Sequence, residues 1–116
     1  MDKKFKLTTA QIRNIAPGYG ACFATDKITV DGDLVGFMYR EDPDNDIDSG
    51  WRFLAGTESE EYMNNPDNHS IWDVNTIANY DPEIVPFLDA PSGAAFERAE
   101  GEGFIEADDR TDATLH

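Results

Sequence analysis

One cysteine, Cys22, stands in a chain of 116 residues, so no internal disulfide can form. That fits a reducing compartment. Histidine is as scarce. His69 is the one away from the C-terminus, and with no second His or Cys near it in sequence a metal-ligand role has no support. One Cys and one such His are also thin grounds for a Cys–His nucleophile pair. No apolar run is long enough to span a membrane. The first residues, Met1 to Leu7, are basic without a hydrophobic signal core, so a cytoplasmic location is expected. Gly18-Tyr19-Gly20 lacks both the third Gly and the preceding strand of a phosphate-binding loop. No cofactor is indicated.

Positive charge is the other shortage. Lys and Arg total 9 against 24 Asp and Glu, for a net charge of -15. The distribution is uneven: residues 1–30 carry +3 and the remainder -18. Such a field repels nucleic acid and anionic lipid, and it speeds encounter with a basic protein. Strong charge also simply keeps a small protein soluble. After residue 40 the chain lacks the basic groups interleaved with aromatics that a nucleic-acid binder needs. A pair of catalytic carboxylates could be drawn from so many acids that their presence says nothing.

What is present suits one small domain. Hydrophobic residues make up 40% and the mean hydropathy is -0.55, as in a soluble chain with a modest core. The expected organisation is a single α+β domain over residues 1–106, an antiparallel sheet of about four or five strands with short helices packed on it. An acidic, frayed tail should occupy residues 107–116.

In chain order, Thr8 and Gln11 offer a capping box for a short helix through Ile12 and Ile15, ended by Pro17-Gly18. Residues 21–25 read as a strand in which Cys22 is a buried, inert thiol. Residues 28–30 and 34–39 flank Asp31-Gly32, a hairpin signal. In the second of these, Val35, Phe37 and Tyr39 share one face and Gly36, Met38 and Arg40 the other. Both faces are mostly apolar, as in a central strand where Phe37 is structural. Thr57 and Glu60 form a second capping box. Residues 71–74 suggest a brief strand, Asp73 a helix cap, and Asp81-Pro82 the start of a one- or two-turn helix limited by Pro86.

The densest feature is residues 39–53: an apolar strand, an acidic loop, then Ser49-Gly50-Trp51-Arg52-Phe53. Asp42, Asp44, Asp46 and Asp48 alternate, which suits a calcium loop because a hard cation wants several oxygens from one short arc. Counted from Asp42, the sixth and twelfth positions are Ile47 and Phe53; from Asp44 they are Ser49 and Ala55. Neither register supplies the required Gly and Glu, so no metal site is expected. Two readings remain, a solvated turn whose carboxylates cap local N–H groups and a recognition surface for a basic partner. Gly50 belongs to the turn. Trp51 should close the edge of the core with Phe53 and Ala55, with Arg52 and Leu54 on the opposite face. Arg52 then pairs with a nearby Asp.

Several stretches resemble one known family when taken together. They are Tyr19-Gly20-Ala21-Cys22, the segment at 35–41, Asp48-Ser49-Gly50-Trp51-Arg52-Phe53, and the segment at 61–68. Asp73-Val74-Asn75-Thr76-Ile77-Ala78-Asn79-Tyr80-Asp81-Pro82 and residues 88–98 complete the match. The chain is similar, over about residues 18–98, to the immunity protein 33 family of bacterial polymorphic toxin systems, formerly a domain of unknown function. The resemblance implies a non-enzymatic protein that neutralises a cognate toxin, and it brings no catalytic residues. On that basis Asp42, Asp44, Asp46 and Asp48, with Asp67 as a neighbour, are the candidate contacts to a basic toxin surface, with no nucleic acid or membrane as partner. A small acidic regulatory or scaffold domain, and a carboxylate-based hydrolase, are the rival classes.

Overall fold

The computed structural model of the chain describes residues 5–99 and 103–107. The strands are β1 (Ala21–Thr25), β2 (Phe37–Arg40), β3 (Asp48–Leu54), β4 (His69–Asp73), β5 (Ala95–Ala99) and β6 (Gly103–Glu106). The α-helices are α1 (Asp26–Thr29), α2 (Glu60–Asn64) and α3 (Val74–Tyr80), with 3-10 turns at Thr9–Gln11, Pro66–Asn68 and Pro82–Phe87. The six strands form one sheet in the order β4-β1-β3-β2-β5-β6. Neighbours are antiparallel except β1 and β3, which run parallel.

The architecture is thus α+β, but the sheet is mixed and six-stranded, not antiparallel with four or five strands. Two local causes account for the difference. The Asp31-Gly32 hairpin does not form, because residues 26–29 wind into α1 and Gly32, at φ +83°, ends it by donating its N–H to Ile28 O. The chain therefore crosses over to β2, two positions away from β1, and β3 returns beside β1 in the same direction. Ala95–Ala99 and Gly103–Glu106 then add two further strands, β5 and β6, at the far edge.

The first helix is also shorter than its pattern suggests. Gln11 Oε1 accepts from the Thr8 N–H, as in a capping box, yet only a 3-10 turn follows. The next backbone groups are taken elsewhere. Asn75 Oδ1 accepts from the N–H groups of Ile15 and Ala16, and Asn79 Oδ1 from that of Arg13. Asn75 and Asn79 in turn donate to Arg13 O. Two amides one turn apart on α3 thus replace the helix ladder for this segment. At α2 the cap is Ser59, not Thr57, because the Glu58 carboxylate is drawn back to the N–H groups of Ala55 and Gly56 and to the Thr25 hydroxyl. Asp73 caps α3 and Asp81 the turn at 82–87.

The sheet's two faces differ. One packs against α3 and the 82–87 turn around Met38, Trp51, Phe53, Ile77, Ile84 and Leu88, all of them fully or almost fully buried. Trp51 Nε1 donates to Leu88 O at 3.1 Å, and the ring stacks on Phe53, so its one polar atom is satisfied inside the core. At the sheet's far edge Arg98 pairs with Asp81 and Glu83. Ala107 is buried and donates its N–H to Ala95 O; residues 108–116 of the expected tail lie outside the described residues. No helix among the described residues is long and apolar enough to cross a membrane.

Candidate functional site

The acidic stretch becomes the β2–β3 loop and the first residue of β3. Asn45 Oδ1 accepts from the N–H groups of Ile47 and Asp48, and Asp48 accepts from those of Asp44 and Gly50. Asn45 and Asp48 therefore do the local capping. Asp42, Asp44 and Asp46 are exposed. Asp42 and Asp46 make no hydrogen bond or ion pair with other described residues. Their carboxylates project from a loop whose backbone is tied down by its neighbours. Asp67 lies elsewhere. The register pairs Asp48 with Ala21 and His69 with Thr25, so Asp67, two residues before His69, sits at the other end of β1.

Gly50 makes the geometry of β3 possible. Between Asp48 and Arg52 the strand spends four residues against two of β1, a bulge. Gly50 sits there at φ +89°, and an added Cβ would lie 2.2 Å from Glu41 O. The bulge sends Trp51 into the core and Arg52 to the opposite face.

Arg52 is 6% exposed, an unusual position for a charge. Its guanidinium holds both Asp48 oxygens at 3.0 Å and Glu41 Oε1 at 3.1 Å, with Asp44 Oδ2 at 3.9 Å. It also lies 4.9 Å over the Phe23 ring. The forked geometry matches a carboxylate bidentately. These hydrogen bonds from Arg52 hold the Asp48 carboxyl well below the usual carboxylate range and raise Arg52 in turn. The clamp ties the root of the acidic loop to the sheet.

Around Arg52 spreads the second sheet face, over which neither α3 nor the 82–87 turn packs. Two rows of side chains cross it, Ile71–Phe23–Arg52–Tyr39 and His69–Thr25–Leu54–Phe37–Glu97–Ile105. Phe23, Phe37, Tyr39 and Leu54 are half-buried, and Ile71 is 65% exposed. Where α2 overhangs the face, Phe23, Tyr39, Arg52, Leu54, Met63 and His69 enclose an open, largely apolar pocket of about 210 Å³. The sequence marks this face only by the second apolar side of β2 and by Phe23 between Cys22 and Ala24. Nothing in that pattern says whether a layer covers it.

Cys22 and His69 lie on opposite faces of the sheet, and burial pushes the Cys22 thiol pKa up. Among the described residues no group of three or more His, Cys, Asp or Glu side chains is placed to hold a metal ion.

The model of the immunity protein Imm33 domain matches residues 22–108, most of the chain. No curated protein and no solved structure matches it.

Proposed function

The chain belongs to the immunity protein Imm33 family, and from that membership we propose that it is a non-enzymatic binding protein that neutralises a cognate bacterial toxin in the cytoplasm. The family match carries this reading. The charge supports the manner of binding: -18 beyond residue 30, with Asp42, Asp44 and Asp46 exposed on a loop anchored through Asp48 to Arg52. Such a surface docks on a basic one, for example a nuclease cleft where carboxylates stand in for phosphates. Asp67, at the other end of β1, is a further acidic contact for a partner wide enough to reach it.

The test is a pull-down from the native host at moderate salt, followed by growth of cells that express the recovered protein with and without this chain. A basic protein that is toxic alone and harmless in the complex is the expected result. Repeated recovery of nothing, or of a partner with no toxicity, overturns the reading in favour of a regulatory or scaffold domain.

A further inference from the structure

The sheet face next to the acidic loop, over which α2 alone reaches among the described helices, is built for more than charge. We propose that the partner anchors itself by seating one apolar side chain, flanked by lysine or arginine, in the pocket between α2 and the open sheet face. This rests on the reading above and adds the chemistry of the contact.

Three observations converge. The pocket wall is apolar: Phe23, Tyr39 and Leu54 from three adjacent strands form the floor, and Met63 of α2 stands at the side. Met is a wall that adapts to the shape of what enters. The one charge in the floor is already spent. Arg52 is held by Asp48 and Glu41 and covered by Phe23, so it neither repels a cation nor needs an anion from the partner. The rim is acidic. Glu41 and Asp44 beside the clamp have side chains 53% and 78% exposed, Asp42 and Asp46 lie beyond them, and Glu97 is exposed on the Leu54–Phe37 row.

An apolar centre within a charged, solvated rim is the layout of an interface hot spot. The charge decides the occupant. A second copy of this chain would set the same acidic rim against itself, and an anionic membrane would meet the same repulsion. A cationic segment with an aliphatic or aromatic anchor satisfies both parts.

The test uses defined probes on the full chain. The peptide acetyl-KKWSKK-amide and its partner acetyl-KKSSKK-amide have equal charge and differ only in the anchor. In NMR titrations the first is expected to bind about tenfold more tightly, the cost of removing a hot-spot anchor. Its shift changes should centre on Phe23, Tyr39, Leu54, Met63 and His69. Met63→Ser, checked for folding by thermal melt, should remove that preference and leave KKSSKK unaffected; Asp44→Asn should weaken both peptides. Equal affinity of the two peptides, shift changes confined to the 42–46 loop, no binding at millimolar peptide, or a folded Met63→Ser with its preference intact each overturn the proposal. Toxin neutralisation is read in a separate assay, so the pocket can fail while the immunity reading stands, and the reverse.

Discussion

Replacing Arg52 with leucine probes the joint between loop and sheet. Leucine keeps apolar contact with Phe23 but removes both hydrogen bonds to Asp48 and the one to Glu41. Asp48, whose side chain is 10% exposed, is left as a nearly buried carboxylate without its cation. Breaking a buried pair in this way costs about 3–5 kcal/mol. Asp48 still accepts from the Asp44 and Gly50 N–H groups, at 2.9 Å each, which favours the lower end, about 3 kcal/mol. With a urea slope of about 2 kcal/mol per M, the midpoint should fall by about 1.5 M, a large share of the roughly 5–15 kcal/mol that holds a small domain folded. The double variant Arg52→Leu/Asp48→Asn removes the orphaned charge and should recover at least about 1 kcal/mol of that loss.

Acid titration gives a second readout. The folded pKa of Asp48 is depressed, so its contribution is fully present above the unfolded value of about 4 and is lost as pH falls through the folded pKa. The stability gap between wild type and Asp48→Asn should therefore narrow below about pH 4. A loss under about 1 kcal/mol for Arg52→Leu, the size of an exposed pair, or strict additivity in the double variant, would refute this account of the clamp.

Other outcomes follow from the same geometry. Gly50→Ala forces a side chain into positive φ and against Glu41 O, and should cost about 2–4 kcal/mol in a denaturant melt. Cys22, buried with a raised pKa, should resist a thiol reagent at pH 8 until denaturant is added. Lysine at both Asp44 and Asp46 cancels the charge of the exposed loop, whose other acids are Glu41 and Asp42. It should slow association with a basic partner about tenfold or more at low salt while dissociation changes less; an unchanged on-rate would show that the loop does not steer.

Local chemistry was legible in the sequence wherever one residue determines its own neighbourhood. Asp73 and Asp81 cap the elements they precede, and the alternation through Trp51, Arg52 and Phe53 gives the two faces of β3. Long-range competition was not legible. Ile28-Thr29-Val30 has strand composition, but Asp26 and Gly32 frame the segment as a helical turn, and that turn sets β1 and β3 parallel. Ile12 and Ile15 have helical spacing, yet Asn75 and Asn79, some 60 positions away, capture the backbone groups a helix would use. The loop carboxylates could be read as a cluster, but the distance from Asp48 to Asp67 depends on strand register. The pocket depends on α2 and three strands meeting, which no single stretch of sequence records.

In the function proposed above, this chain occupies a toxin and turns nothing over. Titrating the activity of the recovered toxin with increasing amounts of the purified chain separates occupancy from turnover. Activity should fall in proportion to added protein and end at a fixed stoichiometric ratio, with intact toxin recovered when high salt separates the pair. Loss of activity at substoichiometric protein, or a toxin left covalently altered, would contradict it.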